Sequence, residues 1–169
     1  MAYKDGIIAA DTLCCWGGIR VWQTKKIIIG QDGVVAAAAG ASSDCYAFEK
    51  WIKGGRIGEL LKFSESFEGL WFLPSGEIFG GDEAGAHDIP ADVKYLAIGC
   101  GAKFAQGAMA AGASAAKAVQ LCIKNHDGCG GEVQTAVLKE VFQNINQASA
   151  EAGLGPINRA SGKVGLING

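Results

Sequence analysis

The first forty residues carry the apolar and alternating patterns that are typical of β-strands. Residues 6–10 are apolar and follow a short polar turn at 4–6, which predicts an N-terminal hairpin that ends at the carboxylate of Asp11. The same criteria predict further strands at residues 19–23, 26–29 and 34–39, with a tight turn at 30–33. The last of these strands is apolar throughout, which indicates burial on both faces.

Helical periodicity begins after Gly40 and is interrupted by further strands. Ser42, Ser43 and Asp44 are good N-cap residues and precede the first helical pattern. Helices are predicted at residues 46–52, 57–63, 102–111, 114–125 and 139–152. Strands are predicted at 69–73, 77–79, 95–99 and 132–138, with a turn at 74–76 and a Gly-rich acidic loop at 80–90. Strands that return around pairs of helices indicate a layered α+β fold with antiparallel sheet.

Length, charge and apolar runs exclude several classes of protein. The 169 residues suffice for one domain, which we place at 1–152, followed by a Gly-rich tail at 153–169. A net charge of −2 without runs of like charge disfavours nucleic acid as a partner. The sequence has no apolar run of about eighteen residues and no secretory signal pattern. We therefore expect no membrane contact and a cytoplasmic location.

Six cysteines raise the question of disulfides, a metal site or a reactive thiol. They are Cys14, Cys15, Cys45, Cys100, Cys122 and Cys129. Because the chain is not a short secreted domain, we expect reduced thiols that serve as small apolar side chains. A zinc site that contains Cys14 and Cys15 would need a second Cys/His pair at ligand spacing. His126 and Cys129 are the only candidates for such a pair. We therefore predict no metal and no cofactor. A cysteine nucleophile would need a neighbouring imidazole, and His87 and His126 both lie in predicted loops.

Four segments follow one another in an order that resembles a known family. They are AYKDGIIAAD, TKKI, AAGASSD and YLAIGCGAKFAQGAMAAGASAAKAV, and the likeness spans about residues 2–138. The sequence resembles the proteasome β-type N-terminal nucleophile hydrolases, above all the HslV-type bacterial peptidases and their phage-encoded relatives. The resemblance implies a four-layer αββα sandwich with two antiparallel sheets, assembly into rings, and a threonine nucleophile at the first residue of the mature chain. The amine of that threonine acts as the base, a buried Asp and Lys tune it, and backbone N–H groups of a Gly-containing turn hold the oxyanion.

The resemblance assigns candidate site residues to this sequence. Asp11 and Lys26 correspond to the acid and the lysine, the Gly40–Ala41 turn to the oxyanion turn, and Cys100 to the serine of a Gly-Ser-Gly motif. Looser matches to a D-x-x-Ser/Thr-G-G pattern are Asp127 and Cys129. Met1 aligns with the third residue of a relative, so the threonine has no counterpart in the sequence as it stands. We therefore expect Asp11 and Lys26 to form a buried, structural ion pair.

Two functional hypotheses follow, and at this stage we favour the first. The first is a non-catalytic, assembly-forming structural protein, a homo-oligomer or a component of a larger assembly such as a virion if the gene is carried by a phage. The second is a threonine-type peptidase that acts on unfolded polypeptides and whose mature N-terminus differs from Met1. The apolar residues of the tail predict that residues 153–169 dock on a neighbouring subunit.

For three features the sequence leaves two interpretations open. Gly40 can hold an oxyanion or can simply allow entry into a helix. The stretch Gly99-Cys100-Gly101 can form an anion-binding nest or a sheet-to-helix turn. The four tryptophans can lie in the core or at a subunit interface, and they are Trp16, Trp22, Trp51 and Trp71.

Overall fold

Eleven strands and four helices are present in a computed structural model, which describes residues 1–16, 19–57 and 62–152. The strands are β1 (Ala2–Lys4), β2 (Ile7–Asp11), β3 (Leu13–Trp16), β4 (Ile19–Gln23), β5 (Ile27–Ile29), β6 (Val35–Ala39), β7 (Glu68–Phe72), β8 (Ile78–Asp82), β9 (Gly85–Ile89), β10 (Tyr95–Ala97) and β11 (Val133–Val137). The helices are α1 (Ser42–Lys53), α2 (Ala102–Ala110), α3 (Ala115–Asn125) and α4 (Leu138–Glu151). The fold is therefore α+β, as the sequence predicts.

The strands form two larger sheets and one two-stranded ribbon, and the strand pairs are antiparallel. The first sheet has the order β10-β1-β2-β11, the second has the order β5-β6-β7-β8-β9, and β3 pairs with β4 in the ribbon. In the first sheet Ala2 lies opposite both Ala9 and Ala97, and Asp11 lies opposite Val133. The start of β1, the end of β2, the end of β10 and the start of β11 therefore lie at the same end of this sheet.

Side-chain alternation along the strands divides the interior into three clusters. On β2, Ile8 joins a cluster that contains residues of both larger sheets, whereas Ala9 points to the opposite side. On β7, Leu70 and Phe72 join the shared cluster, whereas Trp71 lies among the aromatic residues on the other face. Both larger sheets thus bury both faces, which explains the continuous apolar run of β6.

Helices pack on one face of each larger sheet. α2 and α3 pack on the first sheet with small side chains such as Ala105 and Ala118, and α1 packs on the second sheet through Phe48 and Ile52. The N-cap of α3 is Ser114, whose Oγ accepts a hydrogen bond from Lys117 N at 3.2 Å. Among the described residues, no helix is both long and apolar enough to cross a membrane.

The predicted loop at 80–90 is wrong. β8 extends to Asp82, and β9 pairs with it antiparallel, with Gly80 opposite His87 and Gly81 opposite Ala86. Glycine composition hides this strand from sequence reasoning, but the packing of neighbouring rings favours glycine at both positions. A Cβ on Gly81 would come within 3.0 Å of the Trp71 ring, and one on Gly80 would collide with the His87 ring. Pairing with β8 therefore decides the conformation that composition alone would leave open.

The predicted N-cap of the first helix is also wrong. Ala41 occupies the N-cap position of α1 and makes no side-chain cap, while Ser42 is already helical. The Asp44 carboxylate instead accepts hydrogen bonds from Ser64 N at 2.9 Å and Ser64 Oγ at 2.6 Å. These bonds lower the pKa of Asp44 and tie α1 to the segment that leads into β7. Two predictions lie outside the described residues: most of the helix at 57–63, and the docking of the tail at 153–169.

Candidate functional site

A buried carboxylate ends the N-terminal hairpin. Asp5 and Gly6 adopt left-handed backbone angles (φ 51° and 76°), and the turn that they form aligns β1 with β2. Asp11, at the end of β2, is only 5% exposed. Its Oδ2 accepts hydrogen bonds from Gly130 N at 3.1 Å and from Leu13 N at 3.3 Å. The backbone therefore fixes one carboxylate oxygen of Asp11 and leaves the other oxygen for a side chain.

Lys26 supplies that side chain. Its Nζ lies 2.7 Å from Asp11 Oδ1, and the lysine side chain is 22% exposed, so the ion pair is buried on one side and open on the other. Gln134 on β11 holds the lysine backbone, because its Oε1 accepts from Lys26 N at 3.2 Å and Ile27 N at 3.3 Å. Its Nε2 donates to Asp11 O at 3.3 Å. The expected contact between Asp11 and Lys26 is present, and Gln134 is a positioning residue that sequence reasoning missed.

The start of β1 lies in the same polar region. The Met1 amine is buried and donates to Ile98 O at 3.0 Å. Burial lowers the pKa of this ammonium group, while the negative charge of Asp11 opposes that shift and the positive charge of Lys26 adds to it. An amine in this environment gives up its proton more readily than one in water, which is the property that a general base requires.

A cavity of about 290 Å³ opens beside the ion pair. Its lining includes Lys26, Gly40 and Ser42, together with the thiols of Cys14 and Cys45. Burial raises the pKa of both thiols, and that of Cys45 reaches about 11. At neutral pH these thiols are therefore protonated, which makes them apolar lining rather than nucleophiles.

The Gly40–Ala41 turn lies at one wall of this cavity and leads into α1. Gly40 has φ 117°, and a Cβ there would come within 2.3 Å of Ser66 O, so glycine is required. Ala41 O accepts from Asp44 N and Cys45 N, which is the bonding of a helix entry. The structure thus shows the helix-entry role of this turn, and its role in holding an oxyanion stays a prediction.

Cys100 lies away from the cavity lining, against the loop that joins α3 to β11. Its Sγ is 3.4 Å from Gly128 O, and Cys129 Sγ is 3.9 Å from His126 Nδ1. Asp127 contributes its main-chain carbonyl, which accepts from Arg20 Nη2 at 3.1 Å. His126 stands three residues before Cys129, and this H-x-x-C spacing is the sequence signal for the contact between the two side chains.

Packing decides between the two interpretations for the Gly99-Cys100-Gly101 stretch and for two of the tryptophans. The Gly99-Cys100-Gly101 stretch forms a sheet-to-helix turn in which Ala102 N bonds to Gly99 O, and Gly99 N donates to the Glu68 carboxylate. A protein carboxylate therefore already occupies a donor that an anion would use.

Trp51 and Trp71 are core residues, whereas Trp22 is 42% exposed on the ribbon. The side chain of Trp16 lies outside the described part of the chain.

The chain is similar to solved structures that include two of Thiobacillus denitrificans BPH. The structure of Thiobacillus denitrificans BPH in complex with epoxomicin has 25% sequence identity and a TM-score of 0.61, and the match covers 80% of this chain and 94% of that one. A structure of Thiobacillus denitrificans BPH has 24% identity, a TM-score of 0.60 and the same coverage. Neither a protein-family model nor a curated protein matches the chain. The structural neighbours support a proteasome-like fold, and the narrower resemblance to HslV-type peptidases stays a prediction.

Proposed function

We propose that this chain is a proteasome-like N-terminal nucleophile hydrolase that cleaves peptide bonds in unfolded polypeptides. The observation that carries the proposal is the placement of Lys26, whose ammonium group bonds to buried Asp11 and also lines an open cavity. A purely structural ion pair has no need of a cavity at its lysine. The proposal reverses the order of the two hypotheses that the sequence suggests.

The geometry favours a nucleophile attached to the N-terminal strand. The Met1 amine is held by Ile98 O, and burial lowers its pKa, with the positive charge of Lys26 adding to the shift and the negative charge of Asp11 opposing it. A hydroxyl-bearing residue joined to this end of β1 would start in the polar region of the ion pair. Lys26 would lower the pKa of the hydroxyl, a terminal amine would accept its proton, and the cavity would hold the side chain next to the scissile bond. The Gly40–Ala41 turn is the proposed wall for the oxyanion.

The fold belongs to the same proposal. We infer that the three interior clusters separate the layers of an αββα sandwich, with the shared cluster between the sheets and the other two beneath the helices. The complex of Thiobacillus denitrificans BPH with epoxomicin supports an inhibitor-binding site in a protein of similar fold.

Epoxyketone labelling tests this function. We compare the chain as printed with a form in which proteolytic removal of a leader leaves two threonines ahead of Met1. We expect a fluorescent epoxyketone to label only the threonine-extended form, at its first residue, and we expect only that form to hydrolyse a fluorogenic peptide. Lys26→Met in the extended form should abolish labelling, whereas Lys94→Met, at an exposed lysine outside the cavity lining, should preserve it. A folded extended form that is neither labelled nor active would contradict the proposal.

A second candidate function, assembly, rests on a separate observation. Ile19, Val21 and Trp22 of β4 are 70%, 53% and 42% exposed, which places three large apolar side chains on the ribbon. We propose that this ribbon contacts another copy of the chain in a ring, or another protein of a larger assembly such as a virion. Replacing Ile19 and Val21 with Lys should reduce the native mass measured by sedimentation, and Gln23→Lys on the same strand should not. A wild-type protein that sediments as a monomer at all concentrations would rule out this surface as an interface.

A further inference from the structure

Three side chains with soft metal-ligand atoms converge beside the end of the first sheet. They are Cys100, His126 and Cys129, and their ligand atoms all lie within 4.8 Å of one another. Cys100 follows β10, while His126 and Cys129 lie in the loop between α3 and β11. The loop approaches Cys100 so closely that a Cβ on Gly128 would lie 2.6 Å from the Cys100 sulfur. The segment after β10 and the loop between α3 and β11 are therefore in close contact at this point.

A third thiol lies next to the cluster. Cys122 projects from α3, and its Sγ is 3.6 Å from Gly101 O. The Cβ position of Gly101 lies 2.8 Å from Cys129 Sγ and 3.3 Å from Cys122 Sγ, so only a glycine leaves room for both sulfurs. Three thiols and one imidazole thus surround a small region that no larger side chain enters from Gly101 or Gly128.

Simple packing does not account for all members of the cluster. Cys122 and Cys129 are buried and can serve as small apolar side chains. Cys100 is exposed, and its neighbour His126 is half-buried with a polar ring. An exposed thiol beside an imidazole and a buried thiol gives an open approach for an ion from solvent and deeper ligands to retain it.

The distance between the imidazole and the buried thiol suits a tetrahedral ion with mixed nitrogen and sulfur ligands. Zinc bonds of ~2.3 Å to sulfur and ~2.0 Å to nitrogen place such ligands about 3.6 Å apart across a tetrahedral ion. Cys129 Sγ and His126 Nδ1 are 3.9 Å apart, which requires a contraction of only a few tenths of an ångström. His126 Nδ1 accepts a hydrogen bond from Gly128 N at 3.1 Å, and coordination through this atom would replace that bond.

We propose that Cys100, His126 and Cys129 bind one Zn²⁺ ion, with Cys122 or a water molecule as the fourth ligand. Thiolate and imidazole together select zinc over the hard cations Mg²⁺ and Ca²⁺, which prefer oxygen. This proposal differs from the prediction of no metal that the sequence suggests. It does not depend on the proposed peptidase activity.

The site is connected to the ion pair by the main chain. Cys129 is followed by Gly130, whose N–H donates to Asp11 Oδ2 at 3.1 Å, and Arg20 Nη2 bonds to Cys129 O at 3.2 Å. A metal ion bound to His126 and Cys129 would therefore immobilise the loop that holds Asp11. Zinc occupancy is thereby linked to the position of the Asp11 carboxylate.

Metal titration of the full chain tests the proposal. The protein is purified in reductant, stripped with a chelator and titrated with Zn²⁺, and the bound metal is measured by mass spectrometry of the element. We expect one equivalent of zinc to be retained after gel filtration. Co²⁺ in place of zinc should give a thiolate-to-cobalt charge-transfer band and the intense visible bands of tetrahedral cobalt.

Matched variants separate this site from adventitious binding. Cys100→Ser and His126→Asn should each weaken zinc binding by at least ~10–100-fold, the effect that even outer-shell partners have. Cys15→Ser and His87→Asn, at exposed residues outside the cluster, should leave the affinity unchanged. Cys100 is exposed, so its variant should remain folded, which circular dichroism verifies.

Three results would overturn the proposal. The first is a folded, reduced wild-type protein that retains no stoichiometric zinc. The second is binding that persists unchanged in the Cys100→Ser/His126→Asn double variant. The third is a cobalt spectrum without thiolate charge transfer, which would place the ion on other ligands.

Discussion

The ion pair and the thiol cluster are connected through Cys129 and Gly130, and they differ in how their polar atoms are satisfied. Asp11 receives hydrogen bonds from Lys26, Leu13 and Gly130, so the protein itself supplies every partner that holds the carboxylate. The thiols and imidazole of the cluster are brought within 4.8 Å of one another with only weak sulfur contacts between them. The first arrangement is complete within the chain, whereas the second gains most from an added ion. Removal of one partner of the ion pair should therefore lower the free energy of unfolding, and addition of metal to the thiol cluster should raise it.

The largest effect is expected from Lys26→Met. This change leaves the Asp11 carboxylate buried without its cation, which costs ~3 kcal/mol of unfolding free energy, the low end of the usual range because Lys26 is partly exposed. Urea denaturation measures the loss. Lys25→Met is the control, and at this exposed position we expect a change within ~0.5 kcal/mol. An equal effect of both variants would show that Asp11 does not depend on its ion pair.

Zinc addition should give the next largest effect. At a free zinc concentration 100-fold above the dissociation constant, binding to the folded state alone stabilises it by ~2.7 kcal/mol. Thermal unfolding in reductant, with and without zinc, measures the gain. Cys100→Ser should remove the gain while changing the stability of the metal-free protein by no more than ~0.5 kcal/mol, because its side chain is exposed. A zinc-dependent gain that survives in this variant would place the ion elsewhere.

Gln134→Ala should have an intermediate effect on the ion pair. The variant removes the acceptor of Lys26 N and Ile27 N, and unpartnered backbone donors cost ~1–2 kcal/mol where water does not reach them. We expect the urea midpoint to fall and the peptidase activity of a threonine-extended form to decrease. Gln23→Ala, on the exposed ribbon, is the matched control. Gln134→Glu retains the acceptor and should restore part of the stability.

The smallest expected effect concerns alkaline pH. Burial raises the pKa of Cys45 to about 11, above the 9.0 of an unperturbed cysteine thiol, so the folded state retains a proton that the unfolded state loses. The stability from this group is fully present below pH 9 and is lost as pH rises from about 9 to about 11. Cys45→Ala should therefore flatten this part of the stability profile, and Cys15→Ala, at an exposed thiol, should not. Identical profiles for both variants would contradict the role of burial at Cys45.

Local sequence patterns determined most of the secondary structure. β4 runs from Ile19 to Gln23 as predicted, and the left-handed Gly112 separates α2 from α3. These elements follow from apolar periodicity and from the backbone freedom of glycine, which act over a few residues. The apolar run before Asp11 likewise predicted a strand that ends at this carboxylate, whereas the burial of Asp11 was implied only by the family resemblance.

Tertiary structure decided the features in which distant segments meet. β9 forms because β8 offers hydrogen-bond partners and Trp71 requires glycine beneath its ring, and neither condition can be read from a Gly-rich stretch. Gln134 is one polar residue in a short strand until β11 pairs with β2 and brings its amide to Lys26. Cys100 and His126 are 26 positions apart in the sequence, and only the strand order of the first sheet and the packing of α3 bring their side chains together. Periodicity encodes which face of an element is buried, whereas the partner on that face depends on how the whole chain packs.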